Sequence, residues 1–544
     1  MCLQPSDGSD VGPSERNSTL VEKLGGTKFC ARLTAITGCK PNHAIAAGCS
    51  RNVTRAASWV VELVINCLGN RSGVRRFLGF AALSCISSWS DFVRRLGPPI
   101  NPIVRGAFPL LVFFLAAIFS GVLEKTPLVN SLHMLTIIGG LGLIVVALGG
   151  RLPVVLNTPI AKCLLVLTFW FIVCTPFGAW PGGSVALFRD VWSKAALSFV
   201  FVAGCVLTIQ QCKMIYKTIG YSVGVLATMT LALRGVDPTG RLGLLGTRYE
   251  GPNDLAWTLV LGLSFLLFLL FRGDRWQKIF AALLSAAILL ALVKTGSRAG
   301  MIGLCMFAVF GFFQSSRSTR IRLALVIPPL LVVLFAITPP EVRSRYITFF
   351  GSGDKDYRFI DPTTLSAEER LQATARGSAG ARWTLLKDSI HLTLTHPLLG
   401  VGPGGFQAAQ NELAIARGEP KGAWHVTHNT YTQISSEMGI PGVVIYLMFL
   451  YQCFKALNPI VRSRYAGRDW EELRALARSL RASLVVLLTI AFFDSYGYDT
   501  NIPILAGLAC ALALIAQRKR ALMTVPQQVS ATPSALPEPA LEPV

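Results

Sequence analysis

Apolar residues run through this chain in long unbroken blocks, not in the short alternations of a sheet or the one-sided stripes of a soluble helix. Blocks able to cross a hydrocarbon core, roughly 17 to 25 residues each, recur near 106–123, 132–150, 160–178, 193–209, 214–233, 254–271, 277–294, 299–315, 321–338, 439–454, 479–494 and 501–517. They predict an all-α polytopic membrane protein with about twelve transmembrane helices. Stretches 56–69 and 77–87 are too short to span. The pattern divides the chain into an N-terminal cytoplasmic or interfacial extension (1–104), spans one to nine (105–338), a large loop (339–432), spans ten to twelve (433–520) and a tail (521–544).

Composition agrees: 52% of the 544 residues are hydrophobic and 15% charged, with a mean hydropathy of +0.52, which excludes an average soluble domain. The net charge of +22 would suit nucleic acid if it were spread over one face. It sits instead in alternate loops, on Lys213 and Lys217, on Arg272, Arg275 and Lys278, on Arg317, Arg320 and Arg322, along 455–481, and on Arg518, Lys519 and Arg520. This is the positive-inside pattern of a bacterial inner-membrane protein with both termini cytoplasmic and the 339–432 loop periplasmic. Nucleic acid is then an unnecessary partner. The cysteines fall in the N-terminal region or within spans, as at Cys163, Cys174, Cys205, Cys305 and Cys510, where they are expected to act as small apolar residues.

Residues 1–100 are expected either to hold amphipathic segments lying along the membrane or to precede the true start of the protein. The Pro-, Ala- and Glu-rich 521–544 is expected to be a disordered cytoplasmic tail. The stretch 468–481 has helical spacing and is expected to ride on the inner leaflet. Within the large loop, Arg382, Trp383, Leu386, Ile390 and Leu394 predict a helix over 381–394. His396 to Phe406 reads as a Gly/Pro turn, and 428–437 starts another helix.

If positive charge belongs inside, arginines left outside carry information. Arg189, Arg234, Arg241, Arg248, Lys294, Arg298, Arg343, Arg345 and Arg382 are so placed. For Arg234, Arg241, Arg343 and Arg345 the simplest reading is a solvated or snorkelling side chain. Arg298, in the short turn Thr295-Gly-Ser-Arg-Ala-Gly300, is held at the membrane face, where charge is costly and usually functional. Outward guanidinium forks suit a lipid pyrophosphate, which they bind bidentately. Asn253, at the entry of the sixth span, is a helix cap or a site residue. Four of the six histidines, His391, His396, His425 and His428, lie in the loop. They could ligate zinc, but no supporting carboxylates are evident. His428 at a helix start is placed to be a general base or, more simply, a capping residue. Gly400 to Gly405 lacks the Lys-Ser/Thr of a P-loop and reads as a turn.

Arg248 with Pro252-Asn253-Asp-Leu-Ala256, Thr295-Gly-Ser-Arg298-Ala-Gly300, Arg382-Trp383, His396 to Phe406, and His428-Asn429 with Glu437-Met-Gly-Ile-Pro441-Gly resemble the O-antigen ligase and polymerase superfamily, in this order. The resemblance covers roughly residues 105–520 and implies a GT-C-like transferase that moves a glycan from undecaprenyl pyrophosphate to an acceptor hydroxyl, on lipid A-core in the ligases, without cofactor, metal or nucleotide sugar. By motif it implies that Arg248, Arg298 and Arg382 bind pyrophosphate, and the outward Arg189 is expected to join them. It implies His428 as the base, and Asn253, Asn429 and Glu437 in support. The 100-residue N-terminal extension departs from the family pattern. A polymerase or a protein O-oligosaccharyltransferase of the same superfamily is the nearest alternative reading. A transporter would need repeated halves and ionisable groups at mid-span, and these spans are nearly charge-free.

Overall fold

The computed structural model describes residues 102–125, 134–233, 235, 241–347, 367–418 and 424–523. The stretches 56–69 and 77–87, Arg234 and the tail beyond Met523 lie outside them. The described residues form α1 (Phe108–Ser120), α2 (Met134–Leu148), α3 (Pro159–Cys174), α4 (Ser193–Cys205), α5 (Ile209–Leu233), α6 (Pro252–Arg272), α7 (Arg275–Lys294), α8 (Arg298–Gln314) and α9 (Arg317–Ala336). There follow α10 (Pro340–Ile347), α11 (Ala367–Thr395), α12 (Phe406–Ala416), α13 (Thr430–Val461), α14 (Arg468–Ile490) and α15 (Asn501–Met523), with a few shorter turns of helix between.

Every apolar block in the sequence carries a helix. Seven helical stretches among the described residues are long and apolar enough to cross a membrane, those of α1, α3, α6, α7, α9, α13 and α15, and α2 and α8 are apolar but shorter. Twelve spans are therefore not reached by length and composition: α4 has 13 residues, and α5 and α14 carry charged first halves. The start of α14 also departs from expectation. It runs unbroken from Arg468 to Ile490, and its apolar face, Trp470, Leu473, Leu476 and Leu480, is buried inside the protein. Tyr216 Oη donates to the Leu476 carbonyl at 2.8 Å and Lys213 pairs with Glu472 at 3.0 Å, so that face packs on α5 and not on lipid.

Local chemistry sets the helix starts. Asp274, Ser297, Ser316 and Asn429 accept amide hydrogens of the first turns of α7, α8, α9 and α13. Proline opens α3 and α6, where no amide hydrogen is needed. Burial then sorts the bundle. α6, packed against α5, α7, α8 and α14, is 78% buried over its apolar window, whereas α9 is 6% buried and faces outward.

The predicted 381–394 helix is the second half of the longer α11, and the Gly/Pro turn at 396–406 is as expected. That turn is laced to α13: Val401 N donates to Ser436 O and Ile440 N to Pro397 O, each at 2.8 Å. The lacing depends on a kink in α13, where Gly439 has φ 70° and ψ −175°. A Cβ there would run into the Leu398 carbonyl. We expect Gly439→Ala to destabilise the detergent-solubilised protein by at least ~2 kcal/mol, from left-handed strain plus the clash. Thermal unfolding checks this, and an unchanged Tm would show that the kink is not needed.

Candidate active site

The site is assembled where α7 ends and α6, α8 and α13 begin. Carbonyls at a helix C-terminus lack helical partners, and here arginines take them. Arg241 Nε donates to Thr295 O at 2.8 Å and Arg345 Nε to Gly296 O at 3.0 Å. Tyr346 Oη donates to Val293 O at 3.0 Å. Gly296 has φ 59°, and a Cβ there would press on Arg345 Cδ at 3.3 Å, so the turn requires glycine. Ser297 caps α8 and donates from Oγ to Asn253 Oδ1 at 2.9 Å; the same oxygen accepts Arg241 Nη2 at 3.1 Å. Asn253 is thus a bridge and not a cap, a role that falls to Gly251.

Arg298 begins α8, and Arg382 reaches in from α11. Burial, followed by the charges of Arg241, Arg298 and Arg382, pushes Arg345 down to about 9, against an opposing contribution from Tyr346. Arg298 in turn feels the charge of Arg382. Four guanidinium groups therefore act on one another at the end of the bundle. Arg382 Nε is buried without a hydrogen-bond partner. Like charges placed together in this way disfavour one another's charged form.

His428 stands beside this cluster, two residues before α13. Its φ is 51°, a left-handed conformation rarely used outside glycine, costing about 1–3 kcal/mol and usually maintained for function. The surroundings impose it. Thr430 N donates to Ala491 O and Thr430 Oγ1 to Asp494 O, while Asn429 caps α13 with Oδ1 and donates from Nδ2 to Phe492 O. These bonds fasten the start of α13 to the segment after α14. They bring Asp494 Oδ1 to 3.2 Å from His428 Nδ1. Burial would raise the Asp494 carboxyl, but the hydrogen bond and charge of His428, the charge of Arg382 and the Ser495 amide hold it below the usual carboxylate range. An ionised Asp494 accepts from Nδ1, which leaves Nε2 as the basic nitrogen. Tyr496 Oη donates to Asp494 Oδ2 at 3.1 Å.

Of the residues singled out in the sequence, Arg298, Arg382, His428, Asn253 and Asn429 come together here. Arg248 does not: it pairs with Glu124 at 2.9 Å on another side of α6. Arg189 is 74% exposed and pairs with its neighbour Asp190. Glu437 is buried below the 396–406 turn, accepting from Gly404 N at 2.8 Å and Tyr498 Oη at 2.7 Å, and so fixes that turn. His391, His396 and His425 are exposed. Arg241 and Arg345, expected to be solvated, are 7% and 5% exposed and belong to the cluster. Their signal was their outward side, which a carbonyl-rich turn converts from snorkelling to burial. Asp494 was missed because outward cations and histidines alone were weighed; a carboxylate just past a span was its sign.

In the transfer reaction that the resemblance implies, Asp494→Asn removes the charge that fixes the imidazole tautomer and should lower turnover by roughly 10² to 10⁴ with little change in donor KM. Steady-state kinetics of the purified variant decide this, and full turnover would reduce Asp494 to a structural residue.

Residues 281–447 match the family model described as O-antigen ligase. The matched segment contains Arg298, Arg345, Arg382 and His428; Arg241, Asn253 and Asp494 lie outside it. A comparison with curated proteins finds no match. The segment that carries the histidine and three of the four clustered arginines is thus similar to the O-antigen ligase family.

Proposed function

We propose that the protein is an O-antigen ligase of the bacterial inner membrane, GT-C-like with twelve spans, both termini cytoplasmic and the site on the periplasmic face. It transfers a glycan from undecaprenyl pyrophosphate to a hydroxyl of lipid A-core. The observation that carries this is the hydrogen bond of His428 Nδ1 to Asp494 at 3.2 Å, at the end of the bundle where Arg241 and Arg345 are buried on the last carbonyls of α7. An anion-binding cluster and an oriented base side by side suit a reaction whose leaving group is a pyrophosphate and whose nucleophile is an alcohol.

The steps follow from these groups. Arg241, Arg298, Arg345 and Arg382 hold the pyrophosphate of the donor, lying at the membrane face with its lipid among the surrounding lipids. The acceptor oxygen forms a bond to the anomeric carbon while the bond from that carbon to the phosphate oxygen breaks. The hydroxyl proton passes to His428 Nε2, and the resulting imidazolium is stabilised by Asp494. The lipid pyrophosphate leaves as an anion already neutralised by the arginines, so it needs no acid. One displacement with one base inverts the anomeric carbon. In this mechanism Arg248 and Arg189, implied by motif as pyrophosphate ligands, have no contact with the donor phosphates.

Purified protein with lipid-linked glycan and core acceptor tests the chemistry. His428→Ala should lose roughly 10² to 10⁴ in turnover, exposed His425→Ala should lose little, and Arg298→Lys should fail almost as badly as Arg298→Ala because lysine lacks the planar fork. Full activity of His428→Ala would overturn the mechanism. A deletion strain separates the reactions: loss of long lipopolysaccharide bands with intact core and accumulated lipid-linked polymer identifies a ligase, and a single-repeat product a polymerase. For orientation, labelling of intact cells should reach a cysteine placed at the exposed Glu412 but not one at Gln517. The reverse would sink the topology.

A further inference from the structure

A cavity of about 460 Å³ opens beside the start of α6, lined from α1, α2, α4, α6 and the start of α15. Its volume is that of a small-molecule site. Its charged lining is four carboxylates, Glu124, Asp190, Asp254 and Asp499, against two cations, Lys194 and Arg248. That balance disfavours a pyrophosphate, for which the arginine cluster offers the opposite field. Trp257 supplies an aromatic wall, and Thr136, Ser198 and Thr258 supply hydroxyls. Polar surface of this kind among apolar helices is expensive and is usually retained for a ligand.

A second observation states what that ligand offers. Asn501 also lines the cavity; it is 1% exposed and donates from Nδ2 to Asp499, yet its Oδ1 is buried with no hydrogen-bond partner. Beside that enclosed acceptor the wall carries carboxylates and hydroxyls, and so suits a molecule rich in hydroxyl groups with an apolar face for the indole. A sugar ring has both.

The cavity is wired to the base. The rings of Trp257 and Tyr496 lie 4.7 Å apart, and Tyr496 donates to Asp494, which holds His428. Asn253 faces Arg241 and Ser297, while Asp254, the next residue, lines the cavity. One turn of α6 therefore lies between the arginine corner and the cavity, with Asp494 joined to the cavity wall through Tyr496 and Trp257. Resting on the transfer reading above, we infer that this cavity is the acceptor subsite, binding a sugar unit of the acceptor glycan through Trp257, Asp499 and Asn501.

Gly139 lines the cavity from α2, and a Cβ there meets only Phe114, at 3.9 Å, so Gly139→Leu fills the space from a permissive helical position. The probe is lipid-free core oligosaccharide, with inorganic pyrophosphate as the control, titrated against the full-length His428→Ala protein so that no turnover intervenes. We expect the oligosaccharide to slow hydrogen exchange at 246–258 and 496–501, and its Kd to rise at least tenfold on adding either Gly139→Leu or Asn501→Leu. Pyrophosphate affinity should be unmoved by both and lost with Arg298→Ala. In the His428 enzyme, Gly139→Leu should raise acceptor KM about tenfold and leave donor KM unchanged. The inference is overturned if the His428→Ala protein does not bind the oligosaccharide, if adding Gly139→Leu leaves that binding equal, or if Gly139→Leu weakens pyrophosphate instead. If oligosaccharide binding follows Gly139 and Asn501 but His428→Ala still transfers glycan, the subsite stands and the proposed base falls.

Discussion

The carbonyl oxygens at the end of α7 hold the site together. A helix end inside a membrane protein must find donors for its last carbonyls, and here arginines meet that need. The exchange is mutual: the carbonyls make buried guanidinium groups tolerable, and the arginines close the helix. A structural need of the backbone thus gathers buried guanidinium groups at the corner proposed to take the donor pyrophosphate. Asn253 joins the start of α6 to this arrangement and makes the three helices one rigid corner.

The second dependence is on the start of α13. His428 adopts a backbone conformation that its own sequence disfavours, and it is kept there by Asn429, Thr430 and the segment after α14. A base on a free loop would lose its alignment with a carboxylate sixty-six residues away. Two chain segments, each fixed at both ends by a helix, avoid that loss.

Much of this was legible in the sequence. Helix positions followed from apolar blocks, because span length is a property of the chain alone, and Arg298, Arg382 and His428 stood out because charge or imidazole outside a span is conspicuous. What the sequence left hidden was pairing. Nothing local distinguishes Arg345, which enters the cluster, from Arg343, two residues away, which donates to Ala336 O and Thr338 O at the end of α9. Arg248 shows the same: its motif neighbour Asn253 enters the cluster, whereas Arg248 pairs with Glu124, 124 residues away. The surface placement expected for 468–481 failed because amphipathic spacing specifies a buried face without saying whether lipid or protein covers it.

Asn253 and Asp254 are consecutive, on the first turn of a helix that is buried along most of its length. Neighbouring positions on a helix point about 100° apart, so a rotation of α6 about its axis would move the arginine corner and the cavity wall together. A ligand that turned this helix from the cavity side would be felt at the arginine corner through one element, with no lid or loop in between.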